Sequence, residues 1–225
     1  MMSAGLIWSM AVVMGLYQGM NPSTGWLLAV GSGLQTRSRR DLVRTALQLT
    51  LGHFLAMVAL LLPLALLLGL LLGRYVSARA VMAFGWGFNF ALIAFGLYKL
   101  RHPQHPRFIA RIGPRHWVRW SFWMGMLHCG SPLMMIPVLV NLVLLAAGMG
   151  SAVVCGPGAG LLPNVWLALG LCAAMALPLL ATATVIGLWV YQRLGLAALT
   201  RYWLNFELFW FLSFFAMAAM GLLMA

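Results

Sequence analysis

The amino-acid sequence predicts an all-α, polytopic membrane protein with six transmembrane helices. Of its 225 residues, 64% are hydrophobic and 7% are charged, which is more apolar surface than a soluble domain can bury. Apolar runs such as residues 49–72 reach the roughly 20 residues that a helix needs to cross a bilayer. These runs are continuous and lack the alternation of membrane strands, so we exclude a β-barrel.

The six predicted spans are separated by polar or glycine-rich connections. They cover residues 6–34, 42–72, 80–100, 117–147, 164–191 and 202–223. Three prolines interrupt the longest polar connection, and its basic residues suit a membrane interface. His102, His105 and His116 in this connection match the spacing of no metal motif, so we favour an interfacial loop over a metal site.

Spans 1–3 resemble spans 4–6 in the same order. Nine of 21 positions agree between residues 49–69 and 167–187, and six of 14 agree between residues 84–97 and 209–222. The matches include glycines that occupy equivalent places in both halves. The sequence therefore predicts an internal duplication.

Each predicted repeat holds three spans, an odd number, so the second must enter the membrane inverted. Inverted repeats are typical of transporters, whose sites lie near the middle of the membrane. The predicted divisions are a first three-helix repeat at 1–100, a basic cytoplasmic connecting loop at 101–116 and a second three-helix repeat at 117–225.

The net charge of +12 would suggest a nucleic-acid partner in a soluble protein, but its distribution indicates a membrane instead. Twelve of the 14 basic residues fall on one side of the predicted membrane: Arg37, Arg39, Arg40, Arg44, Lys99, Arg101, Arg107, Arg111, Arg115, Arg119, Arg193 and Arg201. Only Arg74 and Arg79 fall on the other side. Short basic loops stay in the cytoplasm, so we expect both termini outside a bacterial-type inner membrane, with the basic loops contacting anionic lipid headgroups.

A polar, proline-containing sequence interrupts span 1 near its centre. Proline removes a backbone donor and clashes with the carbonyl four residues earlier, and in lipid that carbonyl needs a new partner. Gln18, Asn21 and Gly25 would share one face of a continuous helix. We predict that Gln18, Asn21, Pro22 and Thr24 bind substrate.

The equivalent part of span 4 reads HCGSP at residues 128–132. Its proline lies at a depth similar to that of the proline in span 1, so the two breaks would face each other. We predict that His128, Ser131 and Pro132 complete the substrate site. An ionisable side chain inside a span marks a functional site, and His128 could ligate the solute or exchange a proton with it.

Imidazole, thiol and thioether groups cluster around the same breaks. His53 lies in span 2, and His128, Cys129 and Met135 lie in span 4. These ligands favour a soft ion such as Cu(I) over a hard one, so the four residues form a candidate metal site. His53 is also a candidate substrate-binding residue. A soft transition-metal ion would be transported cargo, and we predict no resident cofactor.

Each of these residues also has a purely structural interpretation. Pro22 and Pro132 would only kink their helices, while Asn21 and Ser131 form hydrogen bonds between helices. His53 would be a neutral histidine bonded to a backbone carbonyl.

The sequence offers little chemistry for an enzyme. Asp41 is expected in a loop, and Glu207 in span 6 is placed to neutralise an arginine near the inner interface. No nucleotide-binding loop, zinc-protease helix or nucleophile elbow is present in the sequence. Cys129, Cys155 and Cys172 show no disulfide framework. We therefore predict that the protein is not an enzyme.

Three motifs, GLYQGMNPSTGWLLAV, LGHFLAM and MGMLHCGSPLMMIPVLV, resemble the lysine-exporter (LysE) superfamily. That group includes amino-acid exporters, nickel/cobalt transporters and thiol-electron carriers, and the resemblance implies six spans in two inverted repeats. Gly52 and His53 fit the Gly-His pair of the nickel/cobalt branch, whereas the His and Asp residues of its span-1 motif are missing here. The thiol-electron carriers hold a membrane cysteine in each half, and span 1 has none.

We therefore predict an inner-membrane transporter that exports a metal cation or a small solute by alternating access between spans 1 and 4. The main alternative is a non-transporting assembly or anchor subunit of a membrane enzyme complex, and a thiol-redox electron carrier is a third. Expected partners are the lipid bilayer and the solute, with no nucleic acid. A homo-oligomer or a membrane complex is compatible with either function.

Overall fold

The computed structural model describes residues 4–71, 77–101, 116–126, 131–148 and 161–193, together with residues 212, 214–216, 218, 219 and 222. These residues are almost entirely helical and contain no strand, in agreement with the predicted all-α fold. The bounded helices are α1 (Ala4–Met20), α2 (Trp26–Thr36), α3 (Arg39–Leu71), α4 (Ala78–Arg101), α5 (Trp117–Met124), α6 (Ser131–Met134), α7 (Ile136–Gly148) and α8 (Leu161–Arg193), with a 3-10 helix at Pro22–Thr24.

Two of these helices, α3 and α8, are long and apolar enough to cross a membrane, judged by length and composition. Each contains 33 residues, about 50 Å at the usual rise of about 1.5 Å per residue. Ala4–Met20 and the central part of α4, Met82–Tyr98, are shorter apolar helices. The count of six spans stays a prediction, and most of span 6 lies outside the described residues.

The predicted span 1 is two helices joined by a break. Helix α1 ends at Met20, the 3-10 turn follows, and Gly25 adopts the left-handed conformation with φ of 102° before α2 begins. Proline starts a helical turn readily but cannot continue the helix before it, which explains why the chain leaves α1 at this point. The prediction that Gln18, Asn21 and Gly25 share one helical face is wrong, because the left-handed glycine redirects the chain.

The predicted span 4 is also discontinuous. Met135 forms a turn between α6 and α7, and residues 127–130, between α5 and α6, lie outside the described residues. Span 1 is therefore interrupted at Pro22 and span 4 at Met135, whereas α3 and α8 run unbroken past Pro63 and Pro178.

A tight corner joins α2 to α3. Arg37 is left-handed with φ of 54°, and the backbone N–H of Ser38 donates to the carbonyl of Gly33 across 2.9 Å, closing α2. The Ser38 hydroxyl then accepts from the N–H of Asp41 across 3.2 Å and caps α3. Asp41 thus lies in the first turn of α3, so its expected place in a loop is wrong. Arg39, which we also expected in the connection, begins the same helix.

Helices α3 and α8 form the centre of the described structure and run antiparallel. A Cβ built at Gly187 of α8 would lie 3.6 Å from Leu42 near the start of α3, whereas Gly69 near the end of α3 meets Asn164 near the start of α8. Helix α1 packs on α8, α5 packs on α3, and α4 packs on α7. Every one of these contacts except α4 with α7 therefore involves a central helix.

Glycines allow the closest of these approaches. Gly15 of α1 meets the backbone of Met175 on α8, and Gly52 of α3 meets the backbone of Val118 on α5, so neither position has room for a Cβ. Without a side chain, two helix backbones can approach closely enough for van der Waals contact and weak backbone hydrogen bonds. These contacts fix how each interrupted span lies against a continuous one.

Candidate functional site

The break in span 1 is buried. Gln18 is 1% exposed, Asn21 is 1% exposed and Thr24 is 3% exposed, and Pro22 is buried between them. Four residues predicted to bind substrate therefore lie inside the helix assembly. Polar groups at this depth need partners, since unsatisfied ones cost several kcal/mol in lipid (about 1–3 kcal/mol in proteins generally).

The backbone of the break is satisfied by its own residues. The N–H of Asn21 donates to the carbonyl of Gln18 across 3.1 Å, and the Thr24 hydroxyl donates to the carbonyl of Asn21 across 2.7 Å. The indole N–H of Trp26 donates to the carbonyl of Met20 across 3.2 Å. Thr24 and Trp26 thus supply the donors that the interrupted helix loses, and Thr24 has a structural role in addition to its predicted one.

Gln18 connects this break to the second half of the chain. Its Nε2 donates to the sulfur of Met134 in α6 across 3.3 Å, and both side chains are buried. A thioether sulfur can only accept, so the contact fixes which end of the amide faces it. The Oε1 atom of Gln18 has no hydrogen-bond partner in the described part of the chain.

His53 of α3 lies at the contact with α5. Its Nδ1 is 3.3 Å from the carbonyl oxygen of Leu49 and is hydrogen-bonded to the hydroxyl of Ser121, which itself donates to the Leu49 carbonyl. Since that carbonyl can only accept, we assign the proton to Nδ1. The bond to a backbone carbonyl in the structural interpretation of His53 is therefore present, formed by Nδ1 with Leu49.

The other nitrogen of His53 is an acceptor without a described partner. Nε2 is buried and forms no hydrogen bond among the described residues. A Cβ built at Gly125 of α5 would lie 3.7 Å from the neighbouring Cδ2 carbon, so the ring packs against the end of α5. An imidazole whose Nδ1–H is held by a carbonyl, leaving Nε2 open, has the arrangement that histidines use to bind metals and hydrogen-bond donors.

The candidate metal site is only partly described. His53 and Met135 are both buried, and Met135 belongs to a methionine-rich core with Met14, Met57 and Met134. The described residues contain no group of three or more His, Cys, Asp or Glu side chains that could hold a metal.

Two of the predicted site residues, His128 and Cys129, lie outside the described residues, so the prediction that the breaks of spans 1 and 4 face each other through His128 stays a prediction. Ser131 and Pro132 begin α6, the helix that also carries the Gln18 partner Met134.

The chain matches no protein-family model, no curated protein and no solved structure. The resemblance to the LysE superfamily therefore rests on the motifs and the repeat alone.

Sequence reasoning missed two buried polar residues. Ser121 orients His53, and Asn89 of α4 is buried with an Oδ1 atom that has no hydrogen-bond partner among the described residues. Asn89 and Ser121 could have been found as isolated polar residues in apolar helices, the same signal that marked His53. Met134 was noted in the sequence as one of the thioethers near the breaks, but its hydrogen bond with Gln18 was not predicted, because methionine is common in apolar cores.

Proposed function

We propose that the protein is an integral membrane carrier that exports a metal cation or a small solute by alternating access. Its site would lie between the interrupted spans 1 and 4, near the middle of a bacterial-type inner membrane. The observation that carries the proposal is the buried hydrogen bond from Gln18 to Met134, which joins the two predicted repeats beside their helix breaks.

The exposed surface of the long helices supports a membrane location. Leu162, Trp166, Leu177, Val185 and Trp189 of α8 are all more than half exposed. Isolated exposed apolar residues are ordinary, but a series along a whole helix would expose a large apolar patch to water. In a bilayer the same side chains contact lipid, and the tryptophan near each end of α8 suits the two interfaces.

Pairs of equivalent contacts support the inverted repeat. Gly52 of α3 contacts Val118 of α5. The equivalent of Gly52 in the second half is Gly170, 118 positions later, and the equivalent of Val118 in the first half is Trp8, 110 positions earlier. Gly170 contacts Trp8. Spans 2 and 5 align at the offset of 118, and spans 1 and 4 align at the offset of 110, which also pairs Pro22 with Pro132. A two-fold axis that exchanged the halves would exchange these two contacts.

A second pair of contacts is also equivalent between the two halves, with a shift of one position along the chain. Gly15 of α1 contacts Met175 of α8. Their equivalents in the other halves are Gly125 and Met57. Gly125 contacts Ala56, the residue directly before Met57. Each interrupted span therefore packs against the continuous span of the opposite half. That exchange is expected where two inverted repeats share one central site.

The open acceptors indicate the chemistry of the solute. Gln18 Oε1 and His53 Nε2 are buried lone pairs without described donors. Both would bind a cation or a group that donates hydrogen bonds, and both would repel an anion. A transition-metal ion or a small amine or amino compound therefore fits the proposed site, in which His128 remains a sequence-based candidate.

A transport screen tests the proposal. Cells lacking the protein are compared with cells that produce the wild type, Gln18→Met or Gly31→Ala, and their contents of transition metals, amino acids and small amines are measured under load. Methionine removes the amide at nearly the same volume, whereas a Cβ at Gly31 would touch nothing within 4 Å. We expect one solute class to accumulate without the protein and with Gln18→Met, but not with Gly31→Ala at equal membrane abundance.

Two results of this screen would contradict the proposal. If every solute reached the same level with and without the protein, the carrier would be rejected in favour of a membrane subunit without transport. If export occurred but Gln18→Met left it unchanged, the site between spans 1 and 4 would be rejected.

A further inference from the structure

A groove of about 570 Å³ lies where the start of α3 passes the end of α8. Its lining consists of four polar side chains, Arg39, Arg40, Arg44 and Gln192, and three aliphatic ones, Val43, Leu47 and Leu188. The groove is distinct from the buried region around Gln18 and His53, whose residues do not line it.

The α3 residues of the groove recur at intervals of three or four, which places them along one face of the helix. Arg39, Arg40 and Arg44 are exposed, whereas Leu42 on another face is fully buried in the core. Asp41 is the only carboxylate among the described residues, and it does not line the groove. Three positive charges therefore converge without an acidic side chain in the groove wall.

The combination of arginines and aliphatic side chains in this groove favours a ligand that carries both an anionic group and an apolar group. Guanidinium groups bind phosphate oxygens through paired hydrogen bonds. Val43, Leu47 and Leu188 continue the groove along the apolar surfaces of α3 and α8, where a free phosphate would gain nothing. Basic pockets between transmembrane helices on the cytoplasmic side bind lipid headgroups in this way.

We propose that the groove binds one anionic phospholipid, with its phosphate on the three arginines and an acyl chain along Leu47 and Leu188. This inference rests on the membrane location in the proposed function and is independent of transport. The bound lipid would hold the start of α3 beside the end of α8 at the membrane surface.

Lipid binding to the purified full-length protein tests the site. Dioleoyl phosphatidylglycerol, dioleoyl phosphatidylcholine and inorganic phosphate are each added to protein in an uncharged detergent, and bound ligand is counted by native mass spectrometry. The variants are R39Q/R40Q/R44Q, the single R44Q, L47Q and, as a matched control, R79Q in the first turn of α4. Thermal unfolding of each variant shows whether it is folded.

We expect phosphatidylglycerol to bind the wild type and R79Q at least about tenfold more tightly than phosphatidylcholine does, as three arginines at a membrane surface require. The triple variant should lose this preference, R44Q should lose part of it, and L47Q should bind phosphatidylglycerol more weakly. Inorganic phosphate should not displace the lipid.

Three results would overturn the lipid site. These are equal binding of the two lipids by the wild type, unchanged preference in a folded triple or R44Q variant, and displacement by phosphate at matched concentration, which would indicate a simple anion site. None of these measurements involves export, so their failure leaves the transport proposal standing. Conversely, a protein that exports nothing can still bind the lipid.

Discussion

The side-chain amide of Gln18 donates to the sulfur of Met134 across 3.3 Å, although 116 positions separate the two residues. A thioether is a weak acceptor, so the bond orients the amide more than it stabilises the fold. As a consequence, Oε1 of Gln18 faces the interior of the helix assembly, where it has no hydrogen-bond partner among the described residues. The contact also brings the end of α1 to α6, and hence one predicted repeat to the other.

Gln18→Met should weaken solute binding without lowering the thermal stability of the protein. The substitution removes an oxygen that is buried without a hydrogen-bond partner in the described part of the chain, and it does so at similar side-chain volume, so the thermal midpoint should stay unchanged or rise slightly. Solute binding should weaken by about tenfold or more, since a polar group buried against a donor contributes at least about 1.4 kcal/mol. The measurements are thermal unfolding in detergent and solute binding or export. A large fall in the midpoint with normal export would contradict this assignment.

Ser121→Ala should release the imidazole of His53. Loss of the hydroxyl removes one partner of Nδ1 and should cost about 1 kcal/mol of unfolding free energy. In ¹⁵N spectra, with His53→Gln used to assign the signal, the wild type should show the proton on Nδ1 and Ser121→Ala a mixture of tautomers. Ser32→Ala, which removes a hydroxyl bonded to Thr45, is the control and should leave the His53 signal unchanged. A wild-type proton on Nε2 would refute the tautomer.

Gly52→Val should separate α5 from α3. A Cβ at Gly52 would overlap the backbone of Val118 and lie 2.9 Å from the backbone nitrogen of Phe122, neither of which can move without shifting the helix. We expect a loss of about 1–3 kcal/mol or more of unfolding free energy, measured as a lower thermal midpoint. Gly31→Val, where a Cβ meets nothing within 4 Å, should change the midpoint much less. Equal midpoints for the two variants would mean that this close approach does not exist.

Gly25→Ala should destabilise the break in span 1. With φ of 102°, an alanine would adopt the left-handed region at a cost of about 1–2 kcal/mol. At Gly31, inside α2, the same change should be neutral or stabilise by up to about 1 kcal/mol. The sign of the difference in thermal midpoint distinguishes the two positions. A stabilising Gly25→Ala would show that the chain continues as a helix through residue 25.

Local features of the sequence predicted the long apolar helices and the interruption of span 1. Proline alone does not decide where a helix breaks, because α3 and α8 continue past Pro63 and Pro178. Pro22 differs in that polar residues and a glycine, which favour a turn, follow it at positions 23–25. The lengths of α3 and α8 follow from apolar runs that need no knowledge of their neighbours. The burial of Gln18, Asn21 and His53 was predictable for a related reason, because polar groups in apolar helices are seldom turned to lipid.

The partners of these groups were not predictable, because they depend on how helices cross. Whether His53 meets Ser121 is decided by the approach of α3 to α5 at Gly52, and a small rotation of either helix would replace one neighbour by another. The face predicted for Gly25 failed for a different reason. A glycine in an apolar run is compatible with both helical and left-handed backbone, and its φ is chosen by the surrounding structure.

Residues of the span-1 break donate hydrogen bonds to the break's own carbonyls, and this arrangement would affect the kinetics of a carrier. A carrier that returns across the membrane without cargo needs its helix breaks satisfied in that state, because bare carbonyls in lipid would resist the return step. Thr24 and Trp26 donate to the carbonyls of Asn21 and Met20 from within the chain itself. In the proposed carrier these two carbonyls should therefore not slow the return of the empty form, and the rate of exchange should depend on Gln18 Oε1 and His53 Nε2.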